Sequence, residues 1–307
     1  MTLDRPEQLL AALIVEALLG YPTWLLRRIG HPVTWVGRLI AAMDRHWNGG
    51  RYGVATGALA ALVLIVAGGG IGWGIEQLAS GLAGTLGVVL LATTGLAQRS
   101  LYDHVRAVAA PLARGDTQAA RDALSRVVGR DTAKLDDVGI AAAGIETLAE
   151  SFCDGVVAPA FWFAVLGLPG LFAFKCISTA DSMIGHRDAR YERFGKASAR
   201  IDDVLNWLPA RLAGLLICLA GRRGWRVMGR DARRHLSPNA GWPESAMAGA
   251  LGVTLGGGAF YDGEWIARDD LGHGPRPVAP DLQRALKLYL IACALLWLCV
   301  GVLGWLR

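Results

Sequence analysis

The chain is poor in charge. Only 19% of its 307 residues are Asp, Glu, Lys or Arg, against about a quarter in soluble domains. Together with a hydrophobic share of 53%, this excludes a disordered polyelectrolyte and points to a membrane protein. Cysteine is scarce as well. Cys153, Cys176, Cys218, Cys293 and Cys299 form no C-x-x-C pair and mostly lie in apolar runs, which argues against a zinc cluster or a disulfide framework and for buried reduced thiols. Zinc-finger, RNA-binding and helix-turn-helix patterns are missing, so nucleic acid is not an expected partner. There is no G-x-x-x-x-G-K-[ST] loop, because Gly195-Lys196-Ala197-Ser198 lacks the earlier glycine, and no H-E-x-x-H or G-x-S-x-G. No period of 20–50 residues recurs, which excludes a solenoid.

What is present is apolar and punctuated. Apolar runs cover roughly 9–26, 55–75, 81–97, 156–177, 204–220, 246–260 and 286–306, several approaching the ~20 residues that span a bilayer. Eleven Trp and forty Gly suit interfacial anchoring and close helix packing. The expected fold is all-α: a polytopic integral membrane protein, one domain over 1–307, with re-entrant or broken helices and a cytoplasmic helical face. The first run carries Glu16 with little basic charge ahead of it and reads as a retained anchor. The second and third runs read as a tight helical hairpin. The formal charge of +5 is spread through Arg-rich loops, as solvated loops and anionic membrane lipid require.

Topology is constrained less well. The loops 27–54, 98–155, 178–203 and 221–245 all carry Arg or Lys. The positive-inside rule would place every one in the cytoplasm, which fails if every run crosses. Gly167-Leu168-Pro169-Gly170 interrupts the run 156–177, and both a re-entrant pair of half-helices and a kinked crossing fit it. The run 204–220, with Asn206, Pro209 and Arg211, is poor material for a lipid-facing span. Within 98–155, Asp116-Thr117 predicts a helix over 118–128 stopped by Gly129, and Asp136-Asp137 predicts a second.

Three polar clusters flank these runs. In the first, Glu146, Glu150 and Asp154 recur every four residues just before the run 156–177, within an arc of about 80° on a regular helix. The second runs from Ser178 to Lys196 and includes Asp181, His186, Arg187 and Tyr191; the third holds Arg200, Asp202, Asp203, Asn206 and Arg211. Each has a plain alternative. The triplet could be a solvated face, Asp181 a helix cap, His186 a structural histidine, and Asp202 and Asn206 a hydrogen-bonded pair. Taken together at a membrane edge, where buried acids need partners, they favour carboxylates for Mg²⁺ and guanidinium groups for phosphate. Gly68-Gly69-Gly70 reads as helix packing or a bend, and Gly256-Gly257-Gly258, near Tyr261-Asp262-Gly263, as a turn.

Seven stretches then carry a resemblance. His31–Arg38, Val128–Asp131, Glu146–Glu150, Asp154–Pro159, Asp181–Gly185, Ala199–Arg211 and Ser237–Pro243, in this order, resemble the CobD/CbiB family of membrane proteins of cobalamin biosynthesis. The family usually has Asn where this chain has Ser151 and Ser178. The resemblance implies an adenosylcobinamide-phosphate synthase of the inner membrane, multi-pass, with its active face in the cytoplasm. Such an enzyme joins the free propionate of adenosylcobyric acid to aminopropanol or its phosphate, with ATP and Mg²⁺ as driving force and late cobamide-pathway enzymes as potential partners. On that chemistry Glu150, Asp154 and Asp181 are expected on the metal side. Arg130, Lys175, Arg187, Tyr191, Arg200, Asp202, Asp203, Asn206 and Arg211 are expected to hold ATP or corrinoid, and Glu146 or His186 to take the amine proton. Trp162, Trp207 and Trp242 are candidates for a corrinoid groove or for interfacial anchors. Two other functions compete with the synthase. A regulatory or sensor protein of AmpE-like type would leave the polar clusters dispensable. A transporter would show internal repeats, which the sequence lacks.

Overall fold

Runs of Leu, Ala, Val and Gly without strand alternation give a helical chain, and the computed structural model, which describes residues 3–49, 52–186, 188–261 and 263–306, is helical throughout most of its length. The helices are α1 (Arg5–Leu19), α2 (Thr23–Ile29), α3 (Pro32–Trp47), α4 (Gly53–Leu78), α5 (Gly81–Thr93), α6 (Gln98–Leu112), α7 (Thr117–Leu124) and α8 (Asp137–Phe152). They continue with α9 (Ala158–Leu166), α10 (Leu168–Ile184), α11 (Lys196–Leu205), α12 (Trp207–Gly221), α13 (Trp225–Asp231), α14 (Gly241–Leu251) and α15 (Ala279–Trp305). A turn of π-helix, Cys153–Val157, joins α8 to α9. Between α14 and α15 lie the short strands β1 (Thr254–Gly256), β2 (Ala259–Tyr261), β3 (Glu264–Ile266) and β4 (Asp270–Gly272). They pair antiparallel, β1 with β4 and β2 with β3.

Four stretches are long and apolar enough to cross a membrane: Gly53–Leu78, Gly81–Leu112, Asp137–Leu166 and Ala279–Trp305. Two bent helix pairs raise the number to six if each is one span. The chain is therefore a polytopic α-helical membrane protein with broken helices.

Several boundaries differ from the sequence expectation. The run 9–26 is not one helix. Gly20, at φ +60°, and Pro22 end α1, and the following stretch Thr23–Trp47 meets it at 98°. The run 246–260 is helical only to Leu251, where Gly252 turns left-handed (φ +75°) and leads into β1. The helix expected over 118–128 ends at Leu124, short of Gly129. The run 156–177 does reverse at Gly167 (φ +72°), and a Cβ on Gly170 would overlap the Trp162 carbonyl, so α9 and α10 fold back on each other. Its first arm, however, is the end of a 30-residue helical stretch that begins at Asp137. The triplet acids thus lie within that stretch and not before it.

The chain divides into two compact units, each assembled from separated segments. The first comprises residues 1–97, 158–206 and 300–307. Its core gathers Ile40, Leu64, Ala180, Ile184 and Phe194. Here α4 presses on α10 through glycines: a Cβ on Gly68 would crowd Phe172 and Cys176, and one on Gly72 would strike the Leu168–Pro169 backbone, while one on Gly57 would strike the Phe194 carbonyl just before α11. This is the close backbone approach that lets apolar helices associate where lipid offers no hydrophobic drive. Of the glycine triplet, Gly68 packs and Gly70 faces open space. The second unit comprises residues 98–157 and 207–299. Its larger core includes Phe152 and Tyr289, edge to face at 5.6 Å. The Tyr289 hydroxyl donates to the Gln98 carbonyl at 2.8 Å.

Candidate active site

In the second unit, Asp136 caps α8 by accepting from the Gly139 N–H at 2.8 Å, and the helix carries Glu146 and Glu150 one turn apart. Asp154 falls in the π-turn, whose wider loop shifts it off the regular α-helical face. The three acids consequently have three environments. Glu146 is 2% exposed, Glu150 is exposed, and Asp154 is half-buried.

Glu146 is fully engaged. Its Oε2 accepts from Arg130 Nη2 at 2.5 Å and from Arg268 Nη2 at 3.1 Å. Its Oε1 accepts from the Gly256 N–H at 2.9 Å. Gly256 opens the glycine triplet, all three with φ between +76° and +111°, a left-handed path that L side chains resist. The glycines read from sequence as a plain turn therefore bring a backbone N–H onto a buried acid. A carboxylate holding three donors is a structural anchor and a poor proton acceptor.

Two neighbours of this network carry no sequence expectation, Glu244 and His235. Glu244 is 2% exposed, on the first turn of α14. Burial, and then the charges of Glu146 and Glu150, push its carboxyl well above the usual range. His235 Nδ1 accepts from the Ser237 N–H at 3.0 Å, so a neutral ring carries its proton on Nε2, which lies 3.6 Å from Glu244 Oε1. Burial, and then the positive charge of Arg268, hold the imidazole below its ordinary value. The signal for these residues was adjacent to one already noticed: His235 precedes and Glu244 follows the Ser237–Pro243 stretch. Arg268 sits in a stretch that gave no signal.

Arg211 is committed within the same unit. Its guanidinium lies between the indoles of Trp207 and Trp242, 4.3 and 4.5 Å from their centroids, and donates to Asn239 Oδ1 at 3.3 Å. Two of the tryptophans expected to line a groove thus form a cation–π sandwich.

The first unit holds the other cluster. Asp181 ends α10, and Asp202, Asp203 and Asn206 lie on and just after α11. The expected four-residue pair forms, with Asn206 Nδ2 donating to Asp202 Oδ2 at 2.9 Å. Asp202 Oδ1 is buried without a hydrogen-bond partner, and so is Ser198 Oγ one turn earlier. Asp181 and Asp203 both act electrostatically on Asp202, with Lys175 the compensating cation. Burial, and then Asp203, raise the Asp181 carboxyl, while His186 opposes the shift. Next to these acids opens a cavity of about 490 Å³ whose lining includes His186, Tyr191, Arg193, Lys196, Arg200 and Asp203. The structure therefore gathers His186, Tyr191, Arg200 and Asp203 around one space. It also adds Arg193 and Lys196, members of the second cluster to which the sequence assigned no role. Arg200 is mostly exposed, its 3.5 Å contact with Asp203 long. Trp162 lies in this unit as well, its Nε1 donating to the Leu205 carbonyl at 3.2 Å. Arg187 lies outside the described residues. Among the described residues no three His, Cys, Asp or Glu side chains converge to hold a metal ion unaided.

Comparison with known proteins bears on these clusters. The family model described as CobD/Cbib protein matches residues 9–289. The chain belongs to the CobD/Cbib family. Among its relatives, the cobalamin biosynthesis protein CobD of Rhodobacter capsulatus is 48% identical over 303 residues, covering 96% of each chain. The protein of the same name from Brucella anthropi is 42% identical over 317 residues, covering 94% of this chain and 97% of its own. That of Rhizobium meliloti is 43% identical over 305 residues, covering 94% and 93%. No solved structure matches. The residues of both polar clusters, Glu244 and Arg268 included, fall within the span matched by the CobD/Cbib family model.

Proposed function

We propose that the protein acts in cobalamin biosynthesis as an ATP-dependent ligase, joining the propionate carboxylate of adenosylcobyric acid to aminopropanol or its O-phosphate. Family membership and the names of the relatives support the pathway. The observation that carries the chemistry is the polar cavity of the first unit. Arg193, Lys196 and Arg200 bring positive charge to a space of about 490 Å³, lined also by His186, beside three mutually repelling carboxylates, one of which has a buried oxygen without a partner.

That donor set fits Mg²⁺ bound together with nucleotide. Mg²⁺ is usually held by one or two carboxylates, with phosphate oxygens and water completing its shell. A site that cannot close around a metal by itself suits this habit. Asp202 and Asp181, with Asp203, would hold the ion, which when bound neutralises phosphate charge.

Lys196, Arg193 and Arg200 orient the ATP phosphates and stabilise the charge of the transferred group. The substrate carboxylate attacks the γ-phosphorus, ADP departs, and an acyl phosphate forms. The amine nitrogen then attacks the acyl carbon and inorganic phosphate leaves, so that one amide forms for each ATP consumed. His186, exposed at the cavity, is the assigned amine base. Glu146, occupied by Arg130, Arg268 and Gly256, is not.

Detergent-purified protein given adenosylcobyric acid, aminopropanol phosphate and Mg-ATP is expected to produce the amide together with ADP. Absence of both products would contradict the ligase reading.

A further inference from the structure

A second cavity of the first unit, about 250 Å³ in volume, is unrelated to the carboxylates above. Arg5, Gln8, Glu76 and Thr85 contribute its polar wall. Arg5 and Glu76 carry opposite charges into this one space, yet no ion pair joins them among the described residues. Backbone groups hold each in place. Arg5 Nη1 donates to the Val165 carbonyl at 2.9 Å, and Glu76 Oε1 accepts from the Leu168 N–H at 2.7 Å. Glu76 thereby caps α10 and keeps its second oxygen available. The result is a fixed positive and a fixed negative charge, kept apart across a cavity large enough for a small polar group.

Its position narrows the ligand. The cavity lies where α4 ends and α5 begins, with Ala79 among its lining residues. Both flanking stretches are long and apolar enough to cross a membrane, so their two-residue connection belongs at a membrane face. Leu78 and Leu82, on either side, are 85% and 64% exposed, as suits contact with acyl chains.

We propose that this cavity binds an ammonium–phosphate zwitterion, with phosphate on Arg5 and ammonium on Glu76. Two sources carry that chemistry: the headgroup of an ethanolamine phospholipid and a free amino-alcohol phosphate. A headgroup with a primary ammonium donates hydrogen bonds to Glu76, whereas a trimethylated one has none to give. A glycerol headgroup lacks the cation.

The test uses the full chain in detergent, with native mass spectrometry and thermal unfolding, and phosphatidylethanolamine, phosphatidylcholine, phosphatidylglycerol and free O-phosphoethanolamine as probes. Phosphatidylethanolamine is expected to bind about tenfold more tightly than the other two lipids. Arg5→Gln and Glu76→Gln should each abolish that preference. Glu76→Gln retains an oxygen for the Leu168 N–H, so the cap of α10 survives. Displacement of the lipid by millimolar O-phosphoethanolamine would show that the headgroup alone suffices. It would also make the cavity the subsite for the amine of the proposed ligation. Retention of lipid would assign the site to phospholipid. Equal binding of the three lipids together with no binding of O-phosphoethanolamine, or a preference that persists in both variants, would overturn the proposal. The outcome does not depend on ligase activity.

Discussion

The two polar clusters contain similar side chains with opposite charge balance. In the second unit, Glu146 has two arginines and a backbone N–H on its two oxygens, and the residual acid, Glu244, is held toward its neutral form. In the first unit, Asp181, Asp202 and Asp203 repel one another with Lys175 as counter-charge, and a buried Asp202 oxygen has no partner. Buried polar atoms without a hydrogen-bond partner occur in both units, His235 Nε2, Glu244 Oε2, Ser245 Oγ and Arg268 Nε in the second and Ser198 Oγ and Asp202 Oδ1 in the first. What separates the clusters is charge balance: two arginines neutralise Glu146, whereas the three carboxylates of the first unit repel one another, and excess negative charge suits a cation.

The largest expected effect lies on the scaffold side. Glu146→Gln leaves Arg130 and Arg268 buried without their counter-charge and should cost about 3 kcal/mol of stability, read as a lower midpoint in detergent unfolding. Asp202→Asn should do the reverse. It removes a repulsion, so stability stays within about 1 kcal/mol or rises, while ligation falls about a hundredfold. If Asp202→Asn unfolds the protein and Glu146→Gln does not, the assignment of the two clusters is inverted.

A pH series sharpens the contrast. The folded chain holds the Glu244 carboxyl above its ordinary value of 4.5. Its contribution to stability is therefore complete below that value and is lost as pH rises toward the raised one. Glu244→Gln cannot ionise. Its stability relative to the parent should accordingly grow from pH 5 to pH 9, measured as the difference between melting temperatures. The smallest effect is expected at the cavity rim. Arg200 is exposed and only loosely paired, and Arg200→Gln should raise the KM for ATP about tenfold, about 1.4 kcal/mol, with little change in stability.

Much of this was legible in the sequence, for identifiable reasons. Helical class and the apolar stretches follow from composition and run length. The caps at Asp116 and Asp136 were visible because capping is local, as was the pairing of Asp202 with Asn206. The break at Gly167 was announced by Gly-Leu-Pro-Gly, but not whether the run turns back there or kinks. What stayed hidden was non-local or depended on backbone geometry. Four-residue spacing predicted a shared face for Glu146, Glu150 and Asp154, but no residue announces a π-turn, and it displaces the third acid. Arg268 reaches Glu146 across 122 positions, and Gly256 across 110, so neither the anchor role of Glu146 nor the use of the glycine triplet could be read from spacing. Spacing did not single out Arg193 and Lys196 within their cluster; the fold places them around a cavity.

The central claim is that nucleotide binds in the first unit at the cluster of mutually repelling carboxylates. Calorimetric titration of Mg²⁺ with a non-hydrolysable ATP analogue into the parent protein and Asp202→Asn tests it most directly. Mg²⁺-dependent nucleotide binding in the parent, lost in Asp202→Asn at an unchanged melting temperature, is the expected result. Undiminished Mg²⁺-dependent binding in Asp202→Asn would contradict it.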